Sequence, residues 1–367
     1  ETGTAGRRAM MKINLVMIVK NEARSLEKCL RLAKPLVDRM IVVDTGSEDE
    51  TVEIARRMGA EVFFFSWIDD FSAARNYALE QSDGDWNLVL DGDEYLKPVS
   101  RSKLEHSLLA HPGTWLGGLL RYDSYPDEQG VSVSSSVLPR LLPAGVRYTG
   151  RIHEQPAGDY PCYALSLEAD HDGYLYTDKG ERNLSYLERE TKEHPEDGYY
   201  QFQLASTLRN LKRLKESLGY FRRFYRLSKG EEAYRPGGVV LYLYTLLDLG
   251  TMECLEEAGR IVEQEEAALG GWSDFCFVCG LFYMKRVLSD VGRYIELLPR
   301  IESCYRRCLE LGERPELGGV VGTGSFKAAY NLGAWYEVSG QKDLAVQYYQ
   351  MAAKQGYEAA KERLKAL

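Results

Sequence analysis

Four short apolar runs alternate with helical patterns over the first 90 residues, and this alternation limits the fold more than any other feature of the chain. The apolar runs cover 13–19, 40–43, 61–65 and 86–90, and the helical patterns cover 25–36, 49–58 and 70–81. Strands that alternate with helices favour a parallel sheet with right-handed crossovers. The ligand of such a sheet binds beyond the carboxyl ends of the strands.

An acidic motif follows the fourth apolar run. The sequence LDGDEYL places Asp91, Asp93 and Glu94 at the end of a strand that is expected to be buried. Carboxylates there are costly unless they bind something. Asp-x-Asp suits Mg²⁺ or Mn²⁺, because two oxygen ligands can hold the ion while water and phosphate oxygens complete its shell. Acidic residues also end strands in ordinary turns, so the motif alone leaves both interpretations open.

Four motifs occur in order across residues 15–96: LVMIVKNE, IVVDTGSEDET, FSAARN and LDGDEYL. In order and spacing they resemble the family 2 glycosyltransferases of the GT-A fold. With its helical second half, the chain is similar more narrowly to the bacteriocin peptide S-glycosyltransferases of the sublancin type, which carry tetratricopeptide-like repeats. The resemblance implies an α/β GT-A nucleotide-sugar domain with a mostly parallel, Rossmann-like sheet over 12–182. An all-α repeat domain over 183–367 would follow.

The resemblance also implies roles for particular side chains. It assigns the divalent ion, Mn²⁺ or Mg²⁺, to Asp93 and to His171 of the DHDGY sequence, and the general base to Glu154 of RIHEQP. Nucleotide-sugar contacts are expected at Ile18, Val19, Asn21, Glu22, Asp44, Ser47, Arg75, Asn76, Asp91, Gly92 and His153. The alternative for each of these residues, taken singly, is a satisfied loop or core group, which the motif context makes the less favoured interpretation.

These roles imply an inverting displacement in which an acceptor nucleophile attacks the anomeric carbon and the nucleoside diphosphate leaves. The expected donor is UDP-glucose or UDP-GlcNAc, and the expected acceptor is a cysteine or serine side chain of a peptide or protein. A saccharide or lipid-linked acceptor is the alternative, because GT-A motifs report the nucleotide rather than the acceptor. A protein-binding repeat module with an inert GT-A domain is the alternative outside the enzymes.

The second half contains an internal repeat. The segment Tyr200 to Leu227 matches the segment from Tyr330 onward, including Ala205 with Gly333. Small residues flanked by large aromatics let paired helices approach and stack, as in tetratricopeptide arrays. The stacked surface would recruit a peptide acceptor, pair two protomers as a homodimer, or serve only as a scaffold.

Composition excludes some classes of partner and location. A net charge of −9 and a pI near 5.3 argue against nucleic acid as the main partner. We find no apolar stretch long enough to span a membrane and expect a cytoplasmic protein. Seven cysteines fit reduced thiols. Residues 1–11 have no periodic pattern and are expected to be an expression remnant or disordered.

Two further segments have more than one interpretation. The glycine-rich sequence 317–325 lacks the lysine of a phosphate-binding loop and is expected to be a flexible connection. The polar segment 122–136 is expected to be either an acceptor-side lid or the end of a hairpin.

Overall fold

The computed structural model describes residues 11–127, 130–176 and 180–367. The predicted remnant at 1–11 lies, apart from Met11, outside the described residues. The chain forms two compact units. The first comprises the described residues up to 125 and those from 136 to 176, and the second comprises 126–127, 130–135 and the described residues from 180 onward.

The first unit contains ten strands and five helices, although the ends of two strands extend into the second unit. The strands are β1 (Ile13–Val19), β2 (Arg39–Asp44), β3 (Glu61–Phe64), β4 (Trp86–Val89), β5 (Glu94–Leu96), β6 (Leu116–Asp127), β7 (Gly130–Pro143), β8 (Tyr148–Thr149), β9 (Gln155–Pro156) and β10 (Cys162–His171). The helices are α1 (Leu26–Ala33), α2 (Thr51–Arg57), α3 (Phe71–Glu80), α4 (Arg101–Leu108) and α5 (Gly173–Tyr176). The helix predicted over 25–36 ends early because Pro35 lies in a 3₁₀ turn, Lys34–Leu36.

The main sheet is mixed, with strand order β3-β2-β1-β4-β7-β6-β10-β5. The strands from β3 to β4 are parallel, as predicted from the alternation of strands and helices. Beyond β4 the direction changes: β7 is antiparallel to β4, and β5 is antiparallel to β10. Strands β8 and β9 form a separate antiparallel pair.

Side chains of β1 are buried on both faces of the sheet. Ile13, Leu15 and Met17 pack into a core with α1, α2 and α4, whereas Val16 packs into a second core with α3. A strand covered on both faces reads as a continuous apolar run, which is the pattern of INLVMIV. The sheet therefore holds the carboxyl end of β1 in a fixed position.

The second unit is mainly helical, and its described strand residues are 126–127, 130–135 and 319–320. Its helices are α6 (Gly180–Glu193), α7 (Gly198–Asn210), α8 (Leu214–Leu227), α9 (Arg235–Leu249), α10 (Met252–Leu269), α11 (Ser273–Ser289), α12 (Val291–Tyr294), α13 (Leu298–Leu311), α14 (Phe326–Val338), α15 (Lys342–Lys354) and α16 (Glu358–Ala366). The α/β domain followed by an all-helical repeat region is confirmed. Among the described residues, no helix is both long and apolar enough to cross a membrane.

Small residues set the close packing within the repeated helix pairs. In the pair α7 and α8, the Ser217 hydroxyl donates to the carbonyl of Ala205 (2.8 Å). In the pair α14 and α15, a Cβ on Gly333 would lie 2.8 Å from the ring of Tyr349. Each pair thus depends on a small residue at the position that the internal repeat identified.

The glycine-rich segment is ordered by strand pairing. Strand β11 (Gly319–Val320) pairs antiparallel with β7 at Ser135 and Ser134. The Asp274 carboxylate accepts from the backbone N–H of Val320 (2.7 Å). Part of the segment that its composition predicts to be a flexible connection therefore forms a paired strand. The strand residues 126–127 and 130–135, here called the tip of β6 and β7, belong to the helical unit.

Candidate active site

The turn after β1 is held by the turn after β2. The backbone N–H of Asn21 donates to the Ser47 hydroxyl (2.9 Å), and the Asn21 side chain accepts from the N–H of Glu48 (2.8 Å). Asn21 has a φ of +55°, a conformation that asparagine tolerates better than most residues. Of the expected nucleotide-sugar contacts on β1, Val19 is buried and Ile18 is partly buried.

Asp44 ends β2 and is almost fully buried. Its carboxylate accepts from the backbone N–H groups of Gly46 (2.9 Å) and Ser47 (3.0 Å). These bonds shape the turn, and Gly46 supports it with a φ of +104°. The predicted nucleotide contact at Asp44 therefore also has a role in the fold.

Glu22 and Gly92 are neighbours across the carboxyl edge of the sheet. The Ser25 hydroxyl donates to Glu22 Oε2 (2.8 Å), and the Glu22 N–H donates to the Thr51 hydroxyl (2.7 Å). A Cβ on Gly92 would lie 3.0 Å from Glu22 Cγ. The glycine of the acidic motif thus lets the turn after β1 pass close to β4.

Asp91 lies between two buried arginines. It accepts from Arg75 Nη2 (2.7 Å) and from Arg140 Nη2 (2.6 Å). Burial raises the pKa of this carboxyl, but the charges of Arg140 and Arg75 outweigh burial and hold the pKa well below its ordinary value. Asp91 is therefore ionised at neutral pH.

Arg75 also binds the predicted general base, because its Nε donates to Glu154 Oε1. The Glu154 side chain is 11% exposed. Asn76 is fully engaged with the backbone of Tyr148: its Nδ2 donates to the carbonyl (2.9 Å) and its Oδ1 accepts from the N–H (2.8 Å). Asn76 thus holds β8 in place, whereas Arg75 links Glu154 to the acidic motif.

His171 joins two carboxylates at the end of β10. Its Nδ1 is 2.7 Å from Asp123 Oδ1, and its Nε2 is 3.3 Å from Asp93 Oδ2. All three side chains are buried. Burial lowers the pKa of the imidazole, but hydrogen bonds to Asp123 and Asp93 outweigh it and raise the pKa to about 9. The two residues predicted to bind the metal are therefore in contact.

A chain of ion pairs connects these two groups of residues. Arg140 binds Glu94 as well as Asp91, and Arg121 lies between Glu94 (2.9 Å) and Asp123 (2.9 Å). The network runs from the acidic motif after β4, through β7 and β6, to the histidine that ends β10. Such a network fixes the positions of buried charges, because each carboxylate has a cationic partner.

The two turns that flank the site are also joined. Arg24 donates to both oxygens of Asp172 (3.0 and 2.8 Å), and the Tyr95 hydroxyl donates to Asp172 Oδ1 (3.2 Å). Asp172 follows His171 directly. These hydrogen bonds connect the residues that precede α1 to the turn that follows His171.

His153 lies in the turn before β9. His153 is partly buried with a φ of +50°, and Gln155 Nε2 donates to its carbonyl (3.2 Å). Three charged residues that the sequence reasoning missed complete the network: Arg121, Asp123 and Arg140. The available signal was a charge inside a largely apolar strand sequence, as in LGGLLRYD and LPRLLP.

The described ranges 11–127, 130–176 and 180–367 contain no group of three or more His, Cys, Asp or Glu side chains arranged to hold a metal ion. An ion held by Asp93 and His171 would therefore take its remaining ligands from the substrate and water. Divalent ions at phosphate-transferring sites are commonly bound in this manner.

The domain built on this sheet matches a known family. Residues 15–125 match the model of glycosyl transferase family 2. The chain thus carries a family 2 glycosyltransferase domain, followed by tetratricopeptide-like repeats.

Two curated relatives are named for one or the other of these parts. A TPR repeat-containing protein of Synechococcus elongatus is 34% identical over 260 residues, covering 65% of this chain and 62% of that protein. The SPbeta prophage-derived glycosyltransferase SunS of Bacillus subtilis is 26% identical over 219 residues, covering 56% of this chain and 51% of that protein. The chain thus spans between half and two thirds of the length of these relatives.

Among solved structures, the glucosyl-3-phosphoglycerate synthase of Mycobacterium tuberculosis with Mn²⁺, UDP and glucosyl-3-phosphoglycerate is 26% identical. The match covers 31% of this chain and 45% of that one, with a TM-score of 0.27.

Proposed function

We propose that this protein is a metal-dependent inverting glycosyltransferase that moves a sugar from a nucleoside diphosphate sugar to a polypeptide. The family match and the glycosyltransferase relative support the transfer. The observation that carries the metal dependence is the contact between Asp93 and His171. Asp93 follows β4 and His171 ends β10, so the fold brings together two side chains that are 78 residues apart.

The pair fits a divalent ion. Adjacent ligands in an octahedral Mg²⁺ or Mn²⁺ shell are about 3 Å apart, which is close to the 3.3 Å between Asp93 Oδ2 and His171 Nε2. The carboxylate suits Mg²⁺ and Mn²⁺ alike, whereas imidazole is a ligand of transition metals, so the pair favours Mn²⁺ over Mg²⁺. When bound, the ion would stabilise the charge that develops on the leaving diphosphate.

The donor would lie along the carboxyl edge of the parallel strands, where we place UDP-glucose or UDP-GlcNAc. Asp44 would accept from the base or the ribose, while Asn21 and Ser47 hold the turn that lines the base. Since Asp44 already shapes its turn through two N–H groups, the nucleotide would meet a preformed contact. Asp91 would face the sugar, fixed by its two arginines.

Glu154 is the proposed base. Arg75 binds its Oε1, and we assign to Oε2 the removal of the acceptor proton. A serine hydroxyl would depend strongly on this step. A cysteine thiol would depend on it less, because a thiol loses its proton more readily.

The acceptor is proposed to be a polypeptide, which the helical repeats would recruit. The motifs in 15–96 together with the repeats resemble peptide S-glycosyltransferases, and stacked helix pairs form surfaces suited to extended chains. Pairing of two protomers through the repeats is the second role that such a surface supports.

Nucleotide release tests the proposal. The full chain is supplied with a panel of UDP-sugars, Mn²⁺ or Mg²⁺, and peptides that carry Cys or Ser, and UDP release and peptide mass are followed. We expect metal-dependent release and a peptide heavier by one hexose or one N-acetylhexosamine. Asp93→Ala should lose this activity, while Glu168→Ala, a change at a half-exposed carboxylate on β10, should retain it.

The outcomes separate the alternatives. Release that survives both chelation of metal and Asp93→Ala would contradict the metal role. Transfer to a saccharide or lipid-linked acceptor, with none to peptides, would contradict the acceptor class. If no UDP-sugar binds or turns over, the proposed donor is wrong, and failure of the other nucleoside diphosphate sugars as well would mean that the domain is inert and the protein is a binding module.

A further inference from the structure

The sheet places a third side chain next to the metal-binding pair. Strands β6 and β10 are parallel, and Asp123 is opposite His171 in their register. Side chains opposite each other on neighbouring strands share a face of the sheet. Asp123 is therefore beside the imidazole because of backbone pairing, and the contact does not depend on a flexible loop.

The two ring nitrogens of His171 have different partners. Nδ1 is 2.7 Å from Asp123 Oδ1, whereas Nε2 is directed toward Asp93 Oδ2 at 3.3 Å. An ionised carboxylate accepts hydrogen bonds and cannot donate them, so Nδ1 must carry a proton in this arrangement. When the ring loses its second proton, Nε2 has a free lone pair on the side that faces Asp93, where a cation would bind both atoms.

Arg121 keeps Asp123 in the state that this arrangement needs. Its guanidinium is 2.9 Å from Asp123 Oδ1 and also binds Glu94. The Asp123 side chain is 8% exposed, so water contributes little to its stabilisation. The arginine thus compensates the buried charge and leaves the carboxylate available as an acceptor for His171.

We propose that Asp123 is a positioning residue for the metal site: it holds the proton of His171 on Nδ1 and so presents Nε2 to the ion. This inference rests on the proposed metal-dependent function. Asp123 is not assigned to the metal itself, because the imidazole lies between it and Asp93. Carboxylates that hold a ligating histidine in this way typically change metal affinity by about 10- to 100-fold when they are removed.

Asp123→Asn is the informative change, because it keeps the shape of the side chain. Its amide can present an N–H to Nδ1, which would place the ring proton on Nε2, where the ion must bind. The dissociation constant of Mn²⁺ is measured by electron paramagnetic resonance with the full chain and saturating UDP. We expect Asp123→Asn to raise it about 10- to 100-fold, and Glu168→Gln on the same strand as His171 to leave it unchanged within about twofold.

A double variant separates positioning from a general effect on the fold. If Asp123 acts through the imidazole, adding Asp123→Asn to His171→Ala should weaken Mn²⁺ binding further by less than about twofold. A full 10-fold loss in that background would overturn the positioning role. An unchanged dissociation constant for the single variant Asp123→Asn would do so as well, while the proposed function would stand. Absence of Mn²⁺ binding to the wild-type protein with UDP would overturn both.

A measurement on the wild-type protein covers the case in which Asp123→Asn does not fold. Nitrogen-15 NMR of the metal-free chain, recorded at a pH where the ring is neutral, should show His171 protonated on Nδ1. The chain has five histidines, and loss of one signal in His171→Ala identifies the ring. A proton found on Nε2 would contradict the proposal.

Discussion

Gly173 offers a way to disturb the metal-binding pair without removing either ligand. It is the first residue of α5 and is buried directly after the turn that carries His171. A Cβ at this position would overlap Asp93 Oδ2 and would lie 2.8 Å from His171 Nε2. Gly173→Ala therefore inserts one methyl group between the two side chains.

The size of the effect follows from the displacement. To reach an ordinary contact of 3.4 Å, the imidazole must retreat by about 0.6 Å and the carboxylate by more. A misplacement of about 1 Å at a reacting centre costs on the order of 10²-fold in rate, or about 2.7 kcal/mol of transition-state stabilisation. We expect kcat/KM for transfer to fall by about that factor, and Mn²⁺ affinity in the presence of UDP to fall at least about 10-fold.

The assay is UDP release at varied Mn²⁺, with urea unfolding as the check on the fold. Gly219→Ala is the matched control, because Gly219 is in helix α8 and a Cβ there would meet nothing within 4 Å. That change should raise helix stability by up to about 1 kcal/mol and leave turnover unchanged.

One result would refute the reasoning. If folded Gly173→Ala protein kept both turnover and Mn²⁺ affinity within about twofold, the Asp93 and His171 pair could not be the metal site. Loss of turnover with unchanged Mn²⁺ affinity would instead mean that the substitution disturbs the position of the sugar or of the acceptor.

Other changes test the base, the strand pairing in the helical unit and a buried carboxyl. Glu154→Gln should lower the rate of transfer to a serine acceptor by about 10²-fold while UDP binding is retained. The control Asp159→Asn, at an exposed carboxylate, should change neither the transfer rate nor UDP binding. Equal transfer rates in the two variants would mean that another residue is the base. Gly319→Ala, whose Cβ would overlap the Asp274 carboxylate at a φ of +112°, should lower the free energy of urea unfolding by more than about 2 kcal/mol. Gly340→Ala, at a φ of +75° but with open space around it, should cost only about 1 kcal/mol. Burial raises the pKa of the Asp274 carboxyl to about 7, so the folded protein holds this proton more tightly than the unfolded chain. This proton contributes its full stabilisation below about pH 4, and the contribution is lost as the pH rises through about 7. The loss in the free energy of unfolding is at most roughly 4 kcal/mol. The pH dependence of urea unfolding should therefore weaken in Asp274→Asn.

Periodicity predicted the parts of the fold that depend on local sequence. The strand ends at Asp44 and Asp91 meet at one edge because β1, β2 and β4 are parallel neighbours. The repeated helix pairs follow from the spacing of small and aromatic residues.

The mixed half of the sheet could not be predicted in the same way. Strand β7 lies between β4 and β6, and that order depends on pairing between distant segments. Asp123 and Arg140 are therefore visible in the sequence only as charges inside largely apolar strands. Their partners are set by strand register, which one sequence does not reveal.

The contacts of individual side chains could not be predicted from the sequence either. Asn76 and Arg75 are adjacent in FSAARN, yet one binds the backbone of Tyr148 and the other binds two carboxylates. A helix turns by about 100° per residue, so neighbours in sequence face different surroundings. The motif indicated the place of the site and left the partner of each side chain open.

The tip of β6 and β7 limits how this protein can be divided or recombined. A cut after residue 177 would remove β11 and leave the carbonyl of Val133 without the N–H of Val321 (2.8 Å) that it accepts. Unpaired strand edges favour aggregation, so such a fragment would be a poor measure of what the catalytic domain does alone. When a chimera is built from two relatives, residues 126–135 should therefore be taken from the protein that supplies the repeats, although they lie within the sequence of the other domain.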